Sequence, residues 1–572
     1  MNSCLTHRNL LRLVAVLVTI ANFAMIGGCS LFKNRWPAPE FATIRPLASL
    51  FKAEPSSNLA AAESAYQTAL DLEQSGQPRC VDYFYVAATN CWPEIESSGS
   101  TECVNPRTLE IYHSALRKLL TTGHRFNRLD PRSGMRIELA EGTNFMPIRH
   151  RGFAWDPNDF DYIEPIGKYC FTDLNNIYRC RGLGISTLVT HCRKPNEPYR
   201  NQAQKFPCTV LLRPDQSLGC ACGFSLELAD PFRVENTMIG GKPYAITRDK
   251  SAFFAYALAH DDRNYVNKFF RPGLSEDSDG LIMLEPFQAE KIPLIFVHGL
   301  LSSPLTWATL ANEIAACPQL MDRYQIWAFE YATGEPFLGS AAVLRRQLNE
   351  VQARYDPHGQ NRNLHNAVLI GHSMGGLISK LMITESGDCL WKSVSRCPIE
   401  SIYTSDETRS RLIQSFYFQP LSLVKRVVYI GAPHKGAPGA SGPIGRFGAF
   451  RVKPPQAIQE MHRQLIADNQ GVFSSEFSKR LPTSIDLMRP DSQLLQAVDR
   501  LMVSPKVAEH SIVGVGYPSL GALNSDGVVP ARSARRQGVE THLEVWDRHM
   551  PLHRNKKSID EVMAILQRHL WE

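Results

Sequence analysis

The chain lacks a long run of lysine or arginine, and its formal charge is only +6 over 572 residues. Nucleic acid is held by a concentrated basic surface, so this balance argues against a nucleic-acid partner. No glycine-rich phosphate loop and no dinucleotide fingerprint occurs, which sets aside nucleotide-dependent chemistry. Fourteen cysteines are present, yet no pair has the C-x-x-C spacing of a structural zinc site, and Cys220 and Cys222 stand too close together. No metal-ligand cluster is readable either, and the chain is expected to work without a cofactor. An internal repeat of fixed period is also missing, which excludes a solenoid. The apolar run from Leu13 to Met25 is too short to cross a bilayer comfortably.

What is present starts with that run. His7, Arg8 and Arg12 precede it and Ile26-Gly27-Gly28-Cys29 closes it. A basic start, an apolar core and small residues before a break are the pattern of a secretory signal, here residues 1–28. The segment ending at Cys29 resembles the lipobox of bacterial lipoproteins. That resemblance implies cleavage before Cys29, lipidation of its thiol and a mature chain anchored to the cell envelope. Ser30, where an aspartate would retain such a protein at the inner membrane, implies the outer membrane. An uncleaved signal anchor is the competing reading. Residues 29–56, with Pro37, Pro39, Pro46 and Pro55, read as a tether. Setting aside Cys4 and Cys29 leaves twelve cysteines, an even number that in an exported chain suggests disulfides of unassigned pairing.

Composition then divides the rest. Residues 57–133 carry apolar side chains at helical spacing, with Asn105-Pro106 opening one helix. Residues 134–287 show short apolar or alternating stretches between Gly, Pro, Asn and Asp turns, a β-rich accessory region. From residue 288 to 572, strand and helix signals alternate, which argues for an α/β fold with a mostly parallel sheet covered on both faces. Within it, residues 436–505 form a long lid-like insertion, and Cys389 and Cys397 bracket a second, shorter one that a disulfide could clip.

The chemistry-bearing stretch is Ala367-Val368-Leu369-Ile370-Gly371-His372-Ser373-Met374-Gly375-Gly376, an apolar strand running through Gly-x-Ser-x-Gly into a helix. A serine on such a turn needs small neighbours, because a Cβ at Gly371 or Gly375 would crowd it. A serine hydroxyl attacks only when a base takes its proton, so a histidine and an acid are sought downstream. Asp526, in Ser525-Asp526-Gly527-Val528-Val529-Pro530, is the candidate acid; Asp486 and Asp491 precede the neighbouring strand and are weaker. His549 follows the strand ending at Trp546 and is the candidate base, with His553 as the alternative. His298 reads as a turn-holding residue, and His372, beside the serine, points away from it on that turn geometry.

With His298-Gly299-Leu300, Gly371-His372-Ser373-Met374-Gly375-Gly376 and Gly431-Ala432-Pro433-His434, the C-terminal half resembles the α/β-hydrolase superfamily. The likeness is to bacterial lipases and to lipases of the GPI-inositol-deacylase kind. It implies a Ser373–Asp526–His549 triad, and an oxyanion hole from the backbone amides of Met374 and Leu300. It also implies an ester or lipid substrate, and so an exported, lipid-anchored serine esterase. Two alternatives stand beside it: acyl transfer onto an envelope lipid or glycan, and a non-catalytic envelope binding protein on the same scaffold.

Overall fold

The central strands of the C-terminal half are unbroken apolar runs, which suits strands buried on both faces. Ala367–His372 is buried at every position, and so is Ile292–Val297. In the computed structural model seven strands form one sheet: β1 Gly280–Met283, β2 Ile292–Val297, β3 Tyr324–Glu330, β4 Ala367–His372, β5 Val424–Ile430, β6 Ala508–Val515 and β7 Thr541–Trp546, the last exposed on alternate residues. Their spatial order is β1-β3-β2-β4-β5-β6-β7. All neighbours are parallel except β1, which pairs antiparallel with β3 through Gly280↔Glu330 and Met283↔Trp327. The sheet therefore reaches back to Gly280, into a stretch whose pattern reads as accessory.

Alternate residues of one strand serve different layers. Leu294 and Phe296 share a core with Ala311 and Ile314 of the helix Ala308–Ala316 and with Val562 and Leu566 of the helix Lys556–His569. Ile295 and Val297 pack instead with Leu344 and Leu348 of Phe337–Tyr355 and with Leu377 of Met374–Lys380. The insertion between β5 and β6 is helical where described, with Gln456–Asp468, Ser475–Lys479, Ser484–Leu487 and Gln493–Arg500.

The structure describes residues 57–140, 142–166, 174–199, 203–215, 223–260, 280–441, 456–519 and 522–572. The chain divides into two units, Met1–Ser57 and Asn58–Glu572, and of the first only Ser57 is described. The signal, the tether and Cys29 thus lie outside the described residues, as do Cys170, Cys220 and Cys222.

Ahead of the large sheet come the helices Ser57–Gln74, Cys80–Asn90 and Pro106–Arg125 and a second seven-stranded sheet within residues 129–229. Asn105 caps the third helix by accepting the Arg107 amide, with Pro106 in the first turn where no amide is needed. One hydrophobic core runs from Leu59 through this region into the large sheet as far as Leu566. Arg233 adds a charged seam, forking onto Glu285 at 2.7 and 3.0 Å.

The nine described cysteines are all free thiols, and the expected Cys389–Cys397 clip is not formed. The turn between them is held by other means: the Trp391 indole and the Ser395 hydroxyl both donate to the Cys397 carbonyl, at 2.8 and 2.9 Å. Cys80, Cys91 and Cys208 are buried and behave as small hydrophobes.

Burial makes the fold acid-sensitive. Desolvation pushes the imidazoles of His113, His510 and His569 down to about 4, and that of His553 down to about 3. An unfolded histidine takes a proton below about pH 6.5, whereas these cannot until far lower, so the unfolded state binds more protons in that window. The contribution of these rings to stability is full above about pH 6.5 and is lost as the pH drops toward 4. The Asp230 carboxyl, raised by burial, works in the opposite sense but is outnumbered. The melting temperature should fall steadily between roughly pH 7 and roughly pH 5 in calorimetry; a flat profile would contradict neutral burial of these rings.

Candidate active site

Ser373 is the residue between β4 and the helix Met374–Lys380, and it sits at φ 55° and ψ −124°, a region L-residues avoid. Two things hold it there. Its amide donates to the Ile430 carbonyl at 2.9 Å, and glycines clear the space around it. A Cβ at Gly371 would lie 2.5 Å from the Gly375 carbonyl oxygen, and one at Gly375 would lie 2.2 Å from the carbonyl oxygen of Val297. The turn thrusts the hydroxyl past the C-terminal edge of the sheet, where open α/β sheets place ligands.

Two further loops leave the same edge. The one after β7 carries His549, whose Nε2 accepts from the Ser373 hydroxyl at 2.9 Å. The one after β6 carries Asp526, whose Oδ2 accepts the His549 Nδ1–H at 2.7 Å. The other carboxylate oxygen, Oδ1, accepts the amides of Val528 and Val529 at 2.9 and 2.7 Å, so Asp526 cannot swing away. The His549 amide also donates to the Asp526 carbonyl at 2.8 Å, tying the two loops together. Ser373, Asp526 and His549 are 8%, 1% and 5% exposed, so water scarcely competes for these bonds.

The turn after β2 flanks the serine. A Cβ on Gly299 would stand 3.0 Å from that of Ser373, so the turn leading into Leu300 lies against the serine. The turn is pinned by the Tyr331 hydroxyl donating to the His298 carbonyl at 2.6 Å and by Thr333 Oγ1 accepting the Leu301 amide at 3.3 Å. Met374 opens its helix directly after the serine. Backbone amides at such a helix start point where negative charge on an acyl oxygen would develop.

Of the two late histidines, the structure brings His549 to the serine. His553 turns to Thr306, with Nε2 at 2.7 Å from its hydroxyl and 3.0 Å from its carbonyl oxygen. Asp486 and Asp491 are used elsewhere: Asp486 closes a capping box with Thr483 and pairs with Arg480, and Asp491 pairs with Arg489. His298 stacks on Tyr331 with ring centroids 4.4 Å apart, in keeping with a turn-holding role.

One partnership has no signature in the residue spacing. His372 Nε2 lies 3.0 Å from the His549 carbonyl oxygen, so the residue beside the serine braces the loop that carries the base. Desolvation holds the His372 ring well below the usual histidine range, which keeps it neutral next to His549 and His553. The Gly431-Ala432-Pro433-His434 turn also approaches the pair: a Cβ on Gly431, at φ 59°, would come within 3.3 Å of Asp526 Oδ2 and 3.4 Å of His549 Nδ1.

Comparison with known proteins follows the same outline. Residues 294–554 match the model of the alpha/beta hydrolase family. None of the curated proteins matches the chain. Among solved structures, a lipase of Bacillus licheniformis in mature form is similar at 15% identity over 50% of this chain and 97% of that one, with a TM-score of 0.28. EstA from Clostridium botulinum is similar at 12% identity over 48% of this chain and 86% of that one, with a TM-score of 0.30. A lipase-esterase related protein from Clostridium acetobutylicum is similar at 13% identity over 50% and 98%, with a TM-score of 0.25. At such values these likenesses say nothing about what this chain acts on.

Proposed function

Residues 294–554 belong to the alpha/beta hydrolase family, and from that premise we propose that the chain is a serine esterase that cleaves carboxylic esters through an acyl-enzyme. The observation that carries the reading is the unbroken relay from Ser373 Oγ through His549 to Asp526, at 2.9 and 2.7 Å.

In the proposed reaction Ser373 Oγ attacks the acyl carbon while His549 Nε2 takes its proton. Asp526 keeps the imidazole in the tautomer with Nδ1 protonated and stabilises the imidazolium that forms. The carbonyl oxygen becomes an oxyanion between the amides of Met374 and Leu300, where one such donor commonly contributes about 3 kcal/mol to the transition state. The tetrahedral adduct expels the alcohol, which leaves with the proton from His549. Water then enters, gives a proton to His549 and attacks the acyl-serine; collapse releases the acid and returns the proton to Ser373.

The direct test is release of p-nitrophenol from a chain-length series of acyl esters, together with labelling by a fluorophosphonate probe. Absence of both would end the reading. Adding a primary alcohol to the same assay separates hydrolysis from acyl transfer: an acyltransferase would divert most of the acyl group to the new ester, a hydrolase would not.

Envelope anchoring belongs to the same proposal and rests on the sequence around Cys29, with its basic start, apolar run and small residues. Radiolabelled palmitate fed to expressing cells should enter the full chain and not its Cys29→Ala variant. The variant should also move from the membrane pellet to the soluble exported fraction. Equal incorporation in both would remove the anchor.

A further inference from the structure

Two adjoining cavities lie against the helical insertion. One is apolar, with a volume of about 220 Å³, and its wall includes Leu338, Phe416, Met461, Leu465, Phe477 and Leu487. The other is a polar cleft of about 670 Å³. Val394, Ser474, Glu476 and Pro482 line both, so the two share a wall. Neither is lined by Ser373, Asp526, His549, Met374 or Leu300, so the pair is not the acyl site of the triad.

The cleft carries five cationic side chains, Lys392, Arg396, Lys479, Arg480 and Arg489, against the carboxylates of Glu476, Asp486 and Asp491. Two of the five are spent locally: Arg480 binds Asp486 at 2.7 Å and Arg489 binds Asp491 at 2.6 Å. Lys392 leans on Asp388 at 3.1 Å in an exposed pair that water weakens. Arg396 and Lys479 are exposed and have no carboxylate partner among the described residues. At the shared wall, desolvation pushes the Glu476 carboxyl up.

An apolar chamber sharing a wall with a cation-rich cleft matches a molecule with one apolar tail and one anionic head. The chamber holds about seven water volumes at roughly 30 Å³ each, enough for much of one acyl chain and too little for a packed peptide element. We propose that the insertion binds a single-chain anionic amphiphile, its chain between Leu338, Phe416 and Met461 and its carboxylate or phosphate head at Arg396 and Lys479. This second site goes beyond the esterase reading, because binding there needs no turnover at Ser373.

The test uses the full chain carrying Ser373→Ala, titrated calorimetrically below micelle-forming concentrations. The probes are dodecanoate, monododecyl phosphate, neutral monolaurin and dodecyltrimethylammonium. At least one anionic probe should bind with one-to-one stoichiometry, about tenfold tighter than monolaurin, and the cationic probe should bind worst. Dodecanoate ahead of the phosphate would identify a fatty-acid head; the reverse order would identify a phosphate-headed lipid. Arg396→Glu with Lys479→Glu, both on exposed side chains, should weaken the anions roughly tenfold and leave monolaurin unchanged, which also reports an intact chamber. Met461→Trp, filling the chamber, should weaken every probe. Anion binding that ignores the charge reversal, equal affinity for monolaurin, or no binding of either anion would overturn the proposal. Because turnover is abolished throughout, the result is independent of whether the esterase reading stands.

Discussion

Replacing Ser373 by alanine is expected to lower kcat for ester cleavage by on the order of 10⁵-fold, with KM changed little and fluorophosphonate labelling abolished. The size of the effect follows from what the hydroxyl does. It supplies the covalent intermediate, so without it only substrate binding and the oxyanion donors remain, and these alone retain a small part of the acceleration. KM should hold because the hydroxyl is small and only 8% exposed, and contributes little to ground-state binding. Asp526→Asn tests the other end of the relay. It keeps the shape but favours the wrong imidazole tautomer, with an expected loss in kcat of about 10⁴-fold. Substantial residual turnover in the Ser373→Ala protein, purified from a host lacking other esterases, would show that another group performs the attack.

Gly375→Ala should be strongly damaging, since its methyl would make the closest approach to backbone among the described glycines. The new Cβ would stand 2.2 Å from the Val297 carbonyl oxygen and 2.4 Å from that of His298, closer than any real contact allows. Both oxygens belong to backbone, at the end of a central strand and the start of the oxyanion turn, so neither can step aside as a side chain would. Either β2 and the serine turn separate or the variant does not fold, a cost of about 3 kcal/mol or more. Activity should be lost alongside stability, because the same displacement moves Leu300 away from the serine. Gly339→Ala is the control: it lies in the helix Phe337–Tyr355, nothing stands within 4 Å of the place its new methyl would take, and alanine favours a helix over glycine by about 1 kcal/mol. Chemical denaturation of the pair would decide the matter; a Gly375→Ala protein as stable as the parent would mean the turn is looser than its geometry.

Much of the hydrolytic sheet was legible because its strands are buried on both faces and therefore continuous in apolar residues, as in Ile292–Val297 and Ala367–His372. The serine turn was legible because the close approach of Gly371 and Gly375 to backbone excludes every other residue type. Asp526 and His549 could be placed by strand order, since loops leaving parallel neighbours reach the same edge. The choice between His549 and His553 could only be weighted, because four residues along a loop do not fix which imidazole turns inward. The Thr306 partner that claims His553 is 247 positions away. His372 and its bond to the His549 carbonyl were opaque for the same reason, spanning 177 positions. Gly280–Met283 escaped because an antiparallel edge strand of four residues has too short a pattern to say which sheet it will join. Cysteine number suggested cross-links, but thiols such as Cys80 and Cys208 are buried for their apolar bulk, which a count cannot reveal.

The shared core between the leading region and the sheet has a consequence for how the chain can be divided. Trp307, Ile314 and Leu320 of the later half lie in the same buried cluster as Phe84, Leu116 and Phe206 of the earlier one. A shortened gene starting at the first hydrolytic strand would present that flank to water as a broad greasy face, of the sort that drives clumping. The later half is therefore not a portable cassette with a removable front piece, and the two halves are expected to fold only when expressed together.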